Sequence, residues 1–378
     1  NRNTVEKILK IYNKSYFYKI NGLQISTYFT LFKILWLLNE SNEIRKIYLN
    51  DNLIFGTMDS WFVQNLSLEK NIFTDETNAS RTFMMDLSRK NWSDEILEKF
   101  KIKKSCLPEI KSSFSHYGHL NINGLQHVPI NCVIGDQQAS ALGLGVVFDR
   151  KSKITFGTGT FLLAYAGTHF NSSKNTNFIS TLLFTEKNNT THYAIEASIE
   201  CGGGTIDSLN KLFNVSNDEF EESIAHDTLD NNLIVLPFLN GALCPHWRSD
   251  LKLSIHGIDL NTKWKNIHES ILNSIAFRCR ENIDGIDFDI EEIVIDGGLS
   301  QSPYFQKVLF SLINKPIYLS DEPQGTCFGV FLGLLCHKGS SLNSLPRYPR
   351  TKIRKGDTIQ DFESQFNRYK DYLNKILK

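Results

Sequence analysis

The chain has 378 residues, and its 41 basic (Lys and Arg) and 41 acidic (Asp and Glu) residues leave a formal net charge of zero. Without net charge it has no overall field that would attract DNA, RNA or an anionic membrane, so nucleic acids and membranes are not expected partners. Hydrophobic residues make up 41% of the chain and aromatic residues 12%. This is enough apolar material for two or three packed domains, and it excludes a disordered composition.

The seven cysteines are odd in number, widely spaced and without a Cys-x-x-Cys motif. This pattern argues against a disulfide framework and against a zinc ribbon, and it favours a reducing, cytoplasmic setting. We see no signal peptide and no apolar run long enough to span a bilayer. The most apolar stretch, residues 28–38, is interrupted by Lys33 and is predicted to be a buried helix.

In the first part of the chain, hydrophobic periodicity predicts helices over residues 27–40, 57–66 and 94–101. Residues 128–134 are predicted to form a short apolar strand, and a helix is predicted over residues 137–144.

After residue 150, a run of strands is followed by alternating helices and strands. This order suits a mixed sheet with helices on its faces, as in an actin-like, ribonuclease-H-like domain. The predicted strands are residues 153–156, 161–165, 178–184, 193–198, 233–238, 293–295 and 317–319. The predicted helices are residues 202–212, 264–279, a segment ending at 312, 325–335 and 359–377.

Two glycine-containing turns are candidates for phosphate binding. Backbone N–H groups and the Thr158 hydroxyl in the turn Gly157–Gly159 could face a phosphate, although an ordinary hairpin turn would look the same. Asp296–Gly298 follows an apolar strand, where ligands of such sheets bind. A strand-to-helix turn that simply needs glycine is the alternative there.

Gly135–Gln138 stands at another predicted strand end. The carboxylate of Asp136 could accept a proton from a substrate hydroxyl or orient it, or it could cap the following helix. A fourth glycine cluster, Gly202–Gly204, has a structural turn as its default interpretation. The four clusters together are more specific than any one of them.

Together these motifs resemble the FGGY family of carbohydrate kinases, and within it the glycerol kinases, over essentially the whole chain. Residues 77–82 match the family's TNASRT and residues 135–139 match its GDQQA, which is a specific pair. Further segments are similar to family motifs: Phe55–Trp61 to FGTxDTW, Trp92–Phe100 to WDDELLELF, Leu107–Glu109 to LPE, Phe156–Phe161 to YGTGCF, Pro237–Trp247 to PAFxGLGAPYW and Asp296–Gly298 to DGG.

The resemblance implies an α/β protein of two actin-like (ribonuclease-H-like) domains with a nucleotide cleft between them, the first domain being incomplete. Residues 1–140 would be the later part of the first domain, on the substrate side, and residues 141–378 the second domain, on the nucleotide side. The implied reaction converts glycerol and MgATP into sn-glycerol 3-phosphate and ADP, so ATP and Mg²⁺ are the expected cofactors. A homo-oligomer is left open.

The same resemblance assigns roles to individual residues. Asp136 would be the catalytic base that accepts the proton of the glycerol C3 hydroxyl, and Gln137 would contact a glycerol hydroxyl. Tyr28 and Phe161 fall where the family lines the glycerol pocket with aromatic rings. No side chain is assigned to a metal. The nucleotide side would comprise Thr158 and Gly159 in the phosphate-facing turn, together with Gly203, Gly298 and Ser302.

Several positions depart from the family pattern. Ser302 stands where the motif DGGxxxN has Asn, and Asp207 replaces a Gln that contacts the nucleotide. His246 and Arg248 replace the Tyr and Asp of PYWD. No sugar-bisphosphate regulatory loop is recognisable around residues 121–128, so we expect no such regulation.

The family's opening segment is not found in the chain. That segment carries a DxGTT-type turn, an Arg-Glu pair and a pocket Trp. We therefore expect a fragment, a wrongly delimited gene or a degenerate relative, with little kinase activity. Another polyol or sugar kinase of the family, a catalytically silent binding module and a structural fragment remain alternatives.

Overall fold

The computed structural model of the chain describes residues 2–13, 15–148, 150–170, 176–216, 233–321, 324–353 and 362–378. Its helices are α1 (Arg2–Leu9), α2 (Tyr18–Asn21), α3 (Thr30–Glu40), α4 (Asn42–Leu49), α5 (Met58–Leu66), α6 (Glu76–Ala79), α7 (Asp94–Phe100), α8 (Asp136–Gly143), α9 (Gly203–Phe213), α10 (Trp264–Gly285), α11 (Pro303–Leu312), α12 (Gly325–His337) and α13 (Phe362–Leu377). Within the described ranges, no helix combines the length and apolar content that crossing a bilayer would require.

The strands are β1 (Phe73–Asp75), β2 (Met85–Asp86), β3 (Asn91–Trp92), β4 (Glu109–Lys111), β5 (Lys151–Phe156), β6 (Thr160–Gly167), β7 (Ile179–Thr185), β8 (Thr191–Ile199), β9 (Ile234–Leu236), β10 (Ser254–His256), β11 (Glu292–Gly297), β12 (Ile317–Ser320) and β13 (Arg350–Lys352).

The chain forms two compact units, each built from separated segments. Unit 1 comprises Asn1–Asp149, Tyr165–Ile195 and Gln324–Arg347. Unit 2 comprises Arg150–Ala164, Glu196–Pro323 and Tyr348–Lys378. The family-based domain boundary at residue 140 stays a prediction.

Unit 1 has an aromatic core beneath α3. The apolar face of α3 buries Phe32, whose ring lies 4.8 Å from that of Phe83. Phe17 lies against the same ring at 5.6 Å. Both Phe17 and Phe83 are fully buried, so this cluster fixes the helix that follows Tyr28. In the same unit, β1 pairs in parallel with β4, and β7 lies beside the first part of β8.

Unit 2 is built on a mixed sheet in the order β13, β12, β11, β5, β6 and the end of β8. Strand β11 runs parallel to both β5 and β12, and β6 returns antiparallel to β5. The centre of β11 is the apolar run Ile293–Ile295, which is at most 1% exposed, as expected of a central parallel strand whose two faces are covered. The parallel register aligns Gly297 with Phe156, so β5 and β11 end at the same edge.

Two helices pack together in unit 2. The ring of Phe277 on α10 lies 5.6 Å from Phe366 and 5.3 Å from Tyr369 on α13. Helix α10 continues past the predicted end at residue 279 to Gly285, the first glycine in the segment. The predicted start of the last helix, residues 359–361, lies outside the described residues.

Most predicted helices and strands are confirmed within a few residues, and so is the mixed α/β fold class. The predicted strand over residues 128–134 is wrong, because the chain there forms no strand ladder and only an isolated bridge between Pro129 and His119. The pairing around Pro129 is short and consists of Ile130 N–H to the Gly118 carbonyl at 2.7 Å and Leu120 N–H to the Val128 carbonyl at 2.9 Å. The helices α1 and α4 and the pairing of β9 with β10 were not predicted.

Candidate active site

Asp136 is the first residue of α8, and its side chain is exposed. The N-cap position belongs to Gly135, which has no side chain to cap the helix. The Oδ1 atom of Asp136 accepts the N–H of Gln137 at 2.7 Å, a bond within the first turn, so Asp136 is not the N-cap residue that the sequence allows. Within the described chain, Oδ2 has no hydrogen-bond partner and can therefore accept a hydrogen bond from a ligand.

The segment that leads into Asp136 is held by a buried carboxylate, that of Asp75. This carboxylate accepts hydrogen bonds from the Thr77 hydroxyl at 2.6 Å and from the Ser113 hydroxyl at 2.7 Å, and three more from the N–H groups of Thr77 and Asn78 and the Asn78 amide. Burial raises the pKa of Asp75, and the hydrogen bonds from Thr77 and Ser113 oppose that rise.

Thr77, through its hydroxyl, and Ser113, through its backbone carbonyl, continue this network towards the catalytic candidate. The Thr77 Oγ1 atom accepts the N–H of Gly135 at 2.8 Å. The carbonyl of Ser113 accepts the N–H of Val133 at 3.0 Å. The TNASRT segment therefore positions the backbone immediately before Asp136, which gives Thr77 a structural task that the motif match did not reveal.

Helix α8 is fixed from its other side by α12. The two helices cross in backbone contact, since a Cβ at Gly329 would overlap the carbonyl of Ala139, and one at Gly143 would overlap the carbonyl of Gly325. Gln138 is buried and donates from Nε2 to the Thr181 hydroxyl at 3.2 Å, which ties α8 to β7. These contacts leave α8 little freedom to move, and they make Asp136 an exposed group on a rigid support.

In unit 2, the glycine turn between β5 and β6 contacts the beginning of α9. The N–H of Gly203 donates to the carbonyl of Gly157 at 2.8 Å, and the N–H of Gly204 donates to that of Thr158 at 3.0 Å. A Cβ at Gly202 would lie 2.8 Å from the Gly157 oxygen, so glycine is required for this close approach. The Gly203 N–H is therefore committed to the turn rather than free for a phosphate.

The end of β11 lies beside the same turn. Gly297 has φ +90°, and a Cβ there would overlap the backbone of Phe156, so only glycine fits. Gly298, by contrast, faces open space and is exposed, as are Gly157 and Thr158. The structure thus brings Thr158, Gly159, Gly203 and Gly298 together at one edge of the unit 2 sheet. Their roles towards a nucleotide remain predictions.

Three of the four substituted positions, Ser302, His246 and Arg248, have structural partners. The Ser302 hydroxyl caps α11 by accepting the N–H of Phe305 at 3.4 Å. His246 lies 2.7 Å from Glu281, and Arg248 forms a two-pronged ion pair with Asp250 at 2.7 and 2.6 Å. Asp207 is exposed on α9.

The aromatic candidates are placed in different units. Tyr28 lies in unit 1 just before α3, is 39% exposed and rests edge-on against Phe29 at 5.2 Å. Phe161 is half-buried in unit 2, on β6. Asp136 and Gln137 adjoin each other in unit 1, at the start of α8.

Comparison with known proteins gives the family of this arrangement. Residues 2–143 match the N-terminal domain of the FGGY family of carbohydrate kinases, and residues 152–334 match its C-terminal domain. The chain belongs to the FGGY family of carbohydrate kinases.

Several relatives within the FGGY family carry the name glycerol kinase. The chain is 34% identical over 331 residues to a glycerol kinase of Acaryochloris marina, covering 84% of this chain and 66% of that protein. It is 33% identical over 323 residues to one of Leifsonia xyli, covering 83% of this chain and 64% of that protein. The chain thus spans slightly less than two thirds of these curated relatives.

Solved structures of the FGGY family share the fold. The crystal structure of Plasmodium falciparum glycerol kinase with ADP superposes with a TM-score of 0.83 at 28% identity, covering 100% of this chain and 76% of that one. A ligand-bound xylulose kinase from Lactobacillus acidophilus gives a TM-score of 0.84 at 17% identity, which supports the fold alone.

Proposed function

We propose that this chain takes part in the ATP-dependent phosphorylation of glycerol, with Asp136 as the catalytic base. The observation that carries the proposal is the geometry of Asp136, an exposed carboxylate on a rigidly held helix terminus within a matched FGGY kinase domain. The relatives named glycerol kinase support glycerol as the acceptor. Residues 1–140 would bear the substrate side, with Tyr28 and Gln137, and residues 141–378 the nucleotide side.

Transfer of a phosphoryl group from ATP to glycerol needs one group that accepts the hydroxyl proton and a site that holds the γ-phosphate in place. A hydroxyl oxygen of glycerol attacks the γ-phosphorus of ATP, its proton passes to the Asp136 carboxylate, and the bond from the γ-phosphorus to the β,γ-bridging oxygen breaks to release ADP. The products are sn-glycerol 3-phosphate and ADP. Since phosphoryl transfer depends mainly on positioning and charge neutralisation, a carboxylate fixed through its backbone suits the task.

The edge of the unit 2 sheet at Gly157 and Gly298 leaves space for a nucleotide phosphate. At Gly157 and Gly298 a Cβ would meet no atom closer than 3.7 Å, so exposed backbone without side chains faces open space at two neighbouring chain segments. Such a surface admits the close approach of an anion to backbone N–H groups. The Thr158 hydroxyl can add a further hydrogen bond, and Phe161 would lie towards the acceptor.

Mg²⁺ would be bound mainly through the phosphates of the nucleotide. Mg²⁺ usually binds through one or two carboxylates together with substrate phosphates, and it would neutralise the phosphate charge. Among the described residues, no group of three or more Asp or Glu side chains forms a cluster that could hold a metal ion. We therefore assign no side chain of this chain to Mg²⁺.

The test is the Asp136→Asn variant, made in a full-length form that includes the family's opening segment, in a coupled assay of ADP release with glycerol. The amide keeps the shape of the side chain but does not accept the proton, so we expect kcat to fall by about 10²- to 10⁴-fold. ATP binding, measured by calorimetry, should stay unchanged because Asp136 is placed on the acceptor side.

Asp94→Asn is the matched control. Asp94 is also an exposed first residue of a helix, α7, so the same substitution there changes helix-terminus charge without touching the proposed site. Parent-like turnover in Asp136→Asn would show that the base lies elsewhere. Turnover of other polyols or sugars in preference to glycerol would replace the substrate in the proposal.

A further inference from the structure

Glu69, His116 and His119 form a cluster on two neighbouring segments of unit 1. One ligand atom from each residue lies within 4.8 Å of the other two. The segments are already joined by backbone hydrogen bonds, from Leu68 N–H to the His119 carbonyl at 2.9 Å and from Asn121 N–H to the Leu66 carbonyl at 2.7 Å. The two segments that carry the cluster are therefore held together by backbone hydrogen bonds in the absence of a ligand.

The carboxylate of Glu69 is fixed in place. Its Oε2 accepts the backbone N–H of His119 at 2.8 Å, and its Oε1 lies 2.8 Å from His119 Nδ1. Gly118 has φ +125°, and a Cβ there would overlap Glu69 Oε2, so the left-handed glycine creates the room for this carboxylate.

His116 has the kind of outer partner that orients a metal ligand. Its Nδ1 lies 3.4 Å from the Asn131 side-chain oxygen, and its ring lies 4.9 Å from that of His119. If Nδ1–H donates to Asn131, Nε2 is left with a free lone pair. Ligating histidines usually donate their second ring N–H in this way.

We propose that Glu69, His116 and His119 bind a zinc ion, with a fourth position left to solvent. Two imidazole nitrogens and one carboxylate oxygen are a donor set that Zn²⁺ accepts, whereas Mg²⁺ and Ca²⁺ prefer oxygen ligands alone. Zinc-to-nitrogen distances of about 2.0–2.1 Å place two donors at most about 4.2 Å apart. Small rotations of these partly exposed side chains would close the spacing, and bound zinc would cross-link the two segments.

The competing explanation is an ordinary ion pair. Glu69 and His119 would then interact only with each other, and His116 would merely stack beside them. The two explanations differ in the part played by His116, which has no role in the ion pair.

The test is calorimetric titration of chelator-treated protein with ZnCl₂. We expect one zinc ion per chain, and we expect His116→Ala to weaken zinc binding by more than about tenfold. His127→Ala is the matched control, because His127 is also exposed and lies outside the cluster. Cys327→Ser is the second control, since all seven cysteines lie in the described part of the chain and Cys327 is the exposed one.

Three further measurements make the outcome decisive. Co²⁺ added in place of zinc should give the visible absorption bands of a four-coordinate site in the parent protein and not in His116→Ala. Far-UV circular dichroism and thermal unfolding without metal should be the same for both proteins, because His116 is exposed. Absence of zinc binding by the parent, or equal binding by His116→Ala, would overturn the proposal.

Discussion

The hydroxyl oxygen of Thr77 accepts a hydrogen bond of 2.8 Å from the backbone N–H of Gly135, the residue that precedes Asp136. The same hydroxyl donates to the buried carboxylate of Asp75 at 2.6 Å. A single side chain thus links a buried anion to the backbone of the proposed catalytic residue. Loss of the hydroxyl should affect both stability and turnover.

We expect Thr77→Val to destabilise the protein by about 1–3 kcal/mol, because the Gly135 N–H loses its partner and Asp75 Oδ2 loses one of its three hydrogen bonds. Urea unfolding measures this loss. In the same full-length form, turnover with glycerol should also fall, because the backbone before Asp136 loses its anchor. Thr77→Ser keeps the hydroxyl and should retain both the stability and the turnover of the parent.

Thr74→Val separates the two effects. The buried Thr74 hydroxyl donates to Asp59 at 2.7 Å, so its removal also breaks a threonine–aspartate hydrogen bond, but it does not touch Gly135. Stability should fall here without a change in kcat. Equal kcat in Thr77→Val and Thr74→Val would argue against a positioning role for Thr77.

The crossing of α8 and α12 should tolerate no Cβ at Gly329. Because that atom would overlap the Ala139 carbonyl, we expect Gly329→Ala to destabilise the protein by about 1–3 kcal/mol, as measured by urea unfolding. Gly325→Ala in the same helix is the control, since its Cβ would meet nothing closer than 3.5 Å. Its stability should match or exceed that of the parent.

Arg278 is fully buried in unit 2 and pairs with Glu200 at 3.2 Å and with Glu281. Arg278→Met would leave two carboxylates without their shared cation, and we expect a loss of about 3–5 kcal/mol in urea unfolding. Arg280→Met, two residues along α10, removes a partner of the more exposed Asp284 and should cost much less. Similar losses in both variants would contradict this reasoning.

Glu76 should give the protein a measurable pH dependence. Burial raises the pKa of Glu76 from 4.5 to about 7. The folded state then keeps a proton that the unfolded state releases, so the free energy of unfolding should fall as the pH rises from 4.5 to about 7 and level off above that.

Glu76→Gln should remove that fall and make the protein more stable than the parent at pH above 7, by at most roughly 3 kcal/mol. Urea unfolding across this pH range measures the difference. Glu98→Gln, on the exposed surface of α7, is the control and should keep the parent profile. A parent-like pH profile in Glu76→Gln would show that another buried group is responsible.

The sequence by itself determined the family and most of the secondary structure. TNASRT and GDQQA are each a run of consecutive residues, and the hydrophobic periods of helices and strands depend on residues close together in the chain. Both signals can therefore be recognised without coordinates. The turn at Gly297 was also predictable, since a turn between a strand and a helix commonly needs glycine. The strand prediction over residues 128–134 was wrong because it, too, used only a local pattern. An apolar run gives no information about whether a partner strand pairs along its whole length.

Only the tertiary structure decided which residues support the candidate site. Thr77 and Gly135 are 58 positions apart, and nothing in either segment specifies their hydrogen bond. The close approach of Gly329 to Ala139 is equally non-local. Gly203, which the resemblance places near a nucleotide, donates its N–H to the Gly157 carbonyl. The sequence states which chemical groups each residue carries. Only the folded path of the chain decides which of those groups already have hydrogen-bond partners.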